Sequence, residues 1–146
     1  SSLRRGRYSI PRQIYLVTFT TAERRALFAD HQRARLAAQA IEDERLWYRS
    51  RLLAWILMPD HWHGLIELGG LDSLSICIQK LKANSARRVR TEHPDIKAVW
   101  ATGFHDRALR VDEDLKSAAR YLVANPIRAG LVRHVGDYCY WNTVWL

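Results

Sequence analysis

Cysteine is scarce in this chain. Cys77 and Cys139 are the only two, they stand far apart, and no C-x-x-C pair exists. A cysteine-framed zinc ribbon is thereby excluded, and nothing points to a disulfide framework. Long apolar runs are missing as well, none approaching the ~20 residues that span a bilayer. Residues 1–7 are basic, but no apolar stretch of signal-peptide length follows them. The expectation is a cytoplasmic protein with no membrane partner. Internal repeats, low-complexity tracts and linkers long enough to separate domains are also absent. Acidic charge is in deficit: 15 Asp and Glu face 23 Lys and Arg, a net charge of +8.

What is present fits a folded domain. The 146 residues are 48% hydrophobic, enough for one real core and a single domain over 1–146. The excess positive charge draws polyanions through counterion release. Arginine outnumbers lysine, and arginine can fork onto phosphate and stack on bases. A basic composition is also compatible with mere solubility, so charge alone leaves nucleic acid as one reading of two.

Residues 1–12 form a basic arm. Residues 14–20 are rich in β-branched and aromatic side chains and predict a buried strand. Asp30 is placed to cap a helix reaching about residue 49, with Leu36, Ala40 and Trp47 at near-helical spacing. Residues 52–58 predict a second strand, Pro59-Asp60 a tight turn and 61–68 a third strand, a hairpin. After Gly69-Gly70, Leu71, Leu74, Ile78, Leu81 and Ser85 mark an amphipathic helix to about residue 90. A loop follows, and 103–110 predict a fourth strand. Asp112-Glu113-Asp114 open a last helix with Leu115, Ala118, Ala119 and Leu122 inward. That helix should end at Asn125, because the residue before Pro126 disfavours the α region. An aromatic tail, 137–146, carries Tyr138, Tyr140, Trp141 and Trp145 and should pack back on the body. The fold class is α+β: a ferredoxin-like βαββαβ antiparallel sheet with an additional C-terminal helix.

Two features can carry chemistry. In His61-Trp62-His63 the histidines are two apart on a strand and share a face. Two imidazoles so placed can converge on one metal ion; two surface or satisfied core histidines would read the same way. Glu67 shares their face two pleats away, close to a ligand or simply solvated. Tyr121 and Asn125, at i and i+4, fall on one face of the last helix. A tyrosine oxygen can attack phosphorus and form a phosphotyrosine, given a metal or cations to help it ionise. A half-buried helix tyrosine and a helix-end asparagine are the plainer alternatives.

The stretch Met58-Pro59-Asp60-His61-Trp62-His63-Gly64-Leu65-Ile66-Glu67-Leu68 resembles the histidine–hydrophobe–histidine motif of the single-strand Y1 transposases. Residues 120–132, from Arg120-Tyr121 through Asn125-Pro126-Ile127-Arg128, resemble the tyrosine helix of that superfamily. Residues 103–110, with His105 and Asp106, and Asp137-Tyr138-Cys139-Tyr140 also fit. Within the superfamily the match is to the REP-associated tyrosine transposases, the branch found beside repetitive extragenic palindromes in bacteria. The likeness runs over nearly the whole chain.

The resemblance implies that His61 and His63 are metal ligands for Mg²⁺ or Mn²⁺ and that Tyr121, on the C-terminal helix, is the nucleophile. Asn125 would be the third protein ligand, where related insertion-sequence enzymes use Gln. Trp62 fills the hydrophobic slot and should point into the core. The implied activity is cleavage and rejoining of single-stranded DNA, a palindromic hairpin with an adjacent tetranucleotide, through a 5′-phosphotyrosine, by a monomer. Candidate DNA contacts are Arg4, Arg5, Arg7 and Arg12 in the arm. Lys80, Lys82, Arg87, Arg88 and Arg90 on the second long helix join them, as do Arg107 and Arg110 by the fourth strand. Trp100 and Phe104 could stack on bases or pack in the core. His105 and Asp106 have either a structural part or a DNA contact. Three rivals remain: a hairpin-binding module without catalysis, a nuclease using water as nucleophile, and an RNA-binding ferredoxin-like domain. The last lacks an aromatic RNP-type strand.

Overall fold

The computed structural model describes residues 13–70, 72–110 and 114–145. The arm with Arg4, Arg5, Arg7 and Arg12, together with Leu71, Asp112 and Glu113, lies outside the described residues.

Five strands form one antiparallel sheet: β1 (Ile14–Thr20), β2 (Arg51–Met58), β3 (His61–Glu67), β4 (His105–Ala108) and β5 (Trp141–Thr143). Their order across the sheet is β4-β1-β3-β2-β5. The first four reproduce the split pattern expected from the sequence. Helices α1 (His31–Ile41) and α3 (Leu74–Glu92) pack together on one face; the short α2 (Glu44–Trp47) leads into β2. Helix α4 (Leu115–Val123), followed by the one-turn α5 (Asn125–Arg128), lies on the other face. It sits over β2 and also touches β3 and β5; the side chains that β1 and β4 turn to this face stay partly or fully exposed.

Strand pleating sorts the side chains. Tyr15, Val17 and Phe19 of β1, Trp55 and Leu57 of β2, and Trp62 and Ile66 of β3 meet Ala34, Ala37 and Ile41 of α1 and Leu74, Ile78 and Leu81 of α3. Trp62 is fully buried and stacks on Phe19 at 5.1 Å. Its indole lies over Gly64, where a Cβ would stand 2.2 Å from the ring. Ala54, Ile56, Met58 and Leu65 face the opposite way, onto Ala119, Leu122 and Val123 of α4. Covered on both sides, β2 reads as an unbroken apolar run. A one-residue irregularity lies between Leu52 and Ala54.

Four boundaries differ from expectation. The helix predicted over 30–49 is two helices: the Trp47 indole donates to the Ile41 carbonyl at 2.6 Å, and Asp43 caps the new start. The fourth strand is shorter than 103–110. The aromatic tail adds β5 beside β2, held where the Leu57 N–H donates to the Tyr140 carbonyl and the Tyr138 hydroxyl donates to the Leu57 carbonyl. The last helix stops at Val123, and the chain turns into α5 with Pro126 in its first turn, where a missing N–H costs nothing. Asn125 and Tyr121 are therefore on different helices, not on one face of a single helix.

Candidate active site on the half-covered face

The Pro59-Asp60 turn aims His61 and His63. Two backbone bonds pin it, Thr21 N–H to the Asp60 carbonyl at 2.9 Å and Phe28 N–H to the Pro59 carbonyl at 3.0 Å. From there β3 starts with His61, and its alternation puts His61, His63, Leu65 and Glu67 on the α4 side and Trp62 in the opposite core. Cross-strand register extends the row: His63 pairs with Thr18, and Thr18 pairs with His105. His105 and Arg107 thus share the face of the two histidines, on the part of the sheet that α4 leaves open. Glu67 lies at the far end of β3, 3.5 Å from Arg51, outside the site.

Both imidazoles are fixed through Nδ1. Asp60 Oδ1 lies 2.9 Å from His61 Nδ1, and its other oxygen accepts from Arg24 at 2.9 Å. Burial raises the Asp60 pKa, but the His61 and Arg24 contacts outweigh it and hold the carboxyl below its usual range. The Thr18 hydroxyl meets His63 Nδ1. Burial pushes the His63 pKa down to about 4; the charges of His61 and Arg128 add to this, and a bond to the Val17 backbone opposes it. The ring is neutral at physiological pH, the form that offers a lone pair. A carboxylate or hydroxyl on Nδ1 is the usual way to orient a ligating imidazole through Nε2.

The corner between α4 and α5 brings Asn125 to the same place: its amide stands 3.5 Å from His61 Nε2. Amide nitrogen and oxygen exchange by a flip. Two donors each ~2.1 Å from one ion stand about 3.0–3.4 Å apart, so the His61–Asn125 separation suits a shared divalent ion after a shift of tenths of an ångström, and two imidazoles with an amide oxygen are a chemically suitable donor set. Among the described residues no three His, Cys, Asp or Glu side chains cluster for a metal; this donor set relies on the amide instead.

Tyr121 projects from α4 with 66% of its surface exposed. Its ring lies under the Arg128 guanidinium at 3.7 Å, and Arg128 Nη1 donates to the Tyr121 carbonyl at 2.6 Å. Arg128 was not among the residues expected to act. Its signal was its place inside the tyrosine motif, seven residues after Tyr121, a spacing that returns to the same helical face.

The other expected contacts divide by face. Helix α3 lies against the sealed face, and there Lys80 is paired with Asp72 at 2.9 Å. Lys82 donates to the Ala101 and Gly103 carbonyls, and Arg88 donates to Gln39 at 2.8 Å. Arg87 donates to Asn84 and Arg90 to the Ile96 carbonyl at 2.9 Å. Trp100 packs edge-on to Phe19 and donates to Ser85, and Phe104 packs against the same core. Asp106 is buried on that side, and Arg110 is exposed just past β4.

Residues 9–123 match the family model described as transposase IS200 like. The chain belongs to the IS200-like transposase family. The matched stretch holds His61, His63 and Tyr121 and ends before Asn125 and Arg128. The chain is similar to the REP-associated tyrosine transposase of Escherichia coli strain K12, 26% identical over 135 residues, 90% of this chain and 77% of that one. It is 28% identical over 103 residues to a putative REP-associated tyrosine transposase of Haemophilus influenzae, 64% of this chain and 58% of that one. Its fold is shared with a REP-associated tyrosine transposase solved bound to a REP hairpin: TM-score 0.71, 23% identity, 94% of this chain and 81% of that one. A putative transposase from Deinococcus radiodurans R1 superimposes with TM-score 0.55 at 20% identity, over 84% and 97% of the two chains. No helix among the described residues is long and apolar enough to cross a membrane.

Proposed function

We propose that this transposase-family chain cuts and rejoins single-stranded DNA as one catalytic domain over residues 1–146. The observation that carries the reading is the meeting of Asn125 with His61, beside His63 and on the face whose covering helix bears Tyr121. A divalent ion, Mg²⁺ or Mn²⁺, bound by Nε2 of His61 and His63 and the amide oxygen of Asn125, would supply positive charge to the scissile phosphate's non-bridging oxygens.

Tyr121 is the nucleophile. Its oxygen attacks phosphorus in line, the Oη–P bond forms and the P–O3′ bond breaks. The phenolic proton leaves to solvent, and the departing 3′ oxygen takes one up. The products are a 5′-phosphotyrosine and a free 3′-hydroxyl. One phosphodiester has been exchanged for another, so a 3′-hydroxyl can reverse the step without a nucleotide cofactor. Asp60 and Thr18 hold the imidazoles that bind the phosphate's charge partner.

The substrate is a REP-type palindromic hairpin with a neighbouring single-stranded tetranucleotide, bound by a monomer in the cytoplasm. The related chain solved with a REP hairpin and the net charge of +8 support this. Arg107 and Arg110 would flank the strand near the site and the arm Arg4, Arg5, Arg7 and Arg12 would grip the stem, whereas Lys80, Lys82, Arg87 and Arg88, held by local partners on the opposite face, would add little.

The test is incubation with end-labelled single-stranded hairpins carrying randomised flanks, in Mn²⁺, followed by a denaturing gel. A covalent adduct that vanishes in Tyr121→Phe is expected. Binding without an adduct would instead make the chain a hairpin-binding module. Cleavage that survives Tyr121→Phe but is lost in His63→Ala would make water the nucleophile.

A further inference from the structure

Arg128 makes two contacts with Tyr121. Its guanidinium carbon lies over the Tyr121 ring, 3.7 Å from the centroid. One of its nitrogens donates to the backbone carbonyl of the same tyrosine at 2.6 Å. It arises from α5, the turn that also delivers Asn125 to His61. A guanidinium carries five N–H donors in a rigid plane, and the bond to the Tyr121 carbonyl occupies one nitrogen only.

We propose that Arg128 couples the nucleophile to the histidine pair: it fixes the Tyr121 ring by stacking and presents its remaining donors to a non-bridging oxygen of the phosphate under attack. The inference rests on Tyr121 being the nucleophile. Stacking removes ring freedom that the exposed phenol would otherwise have, and a guanidinium on the ring face is attracted to it. Fork-like donors match phosphate oxygens better than an ammonium does. Arg128 thereby orients one reactant and neutralises charge on the other, an arrangement whose benefit appears when negative charge builds on the phosphate.

Single-turnover adduct formation on the randomised hairpin pool separates the possibilities. The full chain is compared with Arg128→Ala, Arg128→Lys and, as a surface control, Arg45→Ala, whose side chain is engaged with Asp43. At saturating DNA, Arg128→Ala should slow adduct formation about 100-fold, the effect of removing one donor to a developing anion, with hairpin affinity and melting temperature nearly unchanged. Arg128→Lys should recover only part of the loss. Added methylguanidinium should speed Arg128→Ala several-fold and leave the parent chain unaffected. With ¹³C-labelled tyrosine, the Tyr121 ring signal, assigned from its loss in Tyr121→Phe, should shift in Arg128→Ala. An unchanged rate, or a loss matched by weaker binding or melting and not rescued, overturns the proposal. A parent adduct that persists in Tyr121→Phe removes the nucleophile assignment itself, a result read before any Arg128 variant.

Discussion

The two faces of the sheet are built to different ends. On the α1–α3 face Trp62, Phe19, Tyr15 and the helix leucines close a buried core, and the cations of α3 turn to local partners. On the α4 face a nine-residue helix and the aromatic tail cover the sheet around β2, and the side chains of β1 and β4 stay partly or fully exposed. That half-covered face collects the two imidazoles, the Asn125 amide, Tyr121, Arg128, His105 and Arg107. The same strand supplies both: Trp62 anchors β3 in one layer while its neighbours His61 and His63 reach into the other. The larger core lies on the sealed face, and the side chains proposed to react stand on the more open one.

Substitutions can break this contrast. The largest effect belongs to the open face. His63→Ala, or treatment of the parent chain with EDTA, should reduce adduct formation at least ~100-fold, with Mn²⁺ restoring the treated parent and not the variant; gel quantification decides it. Next comes the sealed face: Trp62→Ala should cost about 3–5 kcal/mol and Gly64→Ala about 1–3 kcal/mol, read from urea unfolding. In the Gly64→Ala protein the new methyl displaces the Trp62 indole that now lies over Gly64. A smaller difference separates the cations: Arg107→Ala should weaken hairpin binding several-fold by fluorescence anisotropy, whereas Arg88→Ala on the far face should change it by no more than about twofold. Smallest is the effect of Tyr121→Phe on stability, since the side chain is two-thirds exposed; its melting temperature should match the parent's within about 1 °C.

Much of this was legible in the chain itself. The β-branched run of 14–20, the apolar run ending at Met58 and the Pro-Asp turn give a hairpin whose period-two alternation already separates Trp62 from His61 and His63. The helix from Leu74 follows its apolar spacing, and Asp30 caps α1 as expected. What escaped depends on contacts distant in sequence. Strand β5 is only three residues long, too short to show a period-two pattern, and is defined by its pairing with β2 and the bonds of Leu57 to the tail. The break between α1 and α2 needs Trp47 to reach the Ile41 carbonyl. The i, i+4 spacing of Tyr121 and Asn125 suggested a shared helical face, yet the chain turns at Ala124. That turn brings Asn125 to His61, a meeting that linear spacing does not encode.

The most direct test of the account is peptide mapping of the covalent product. After reaction with the hairpin pool and nuclease trimming, tandem mass spectrometry should find a nucleotide phosphate on the Tyr121 oxygen and nowhere else. Modification of a different residue, or cut DNA with an unmodified Tyr121 throughout the time course, would contradict it.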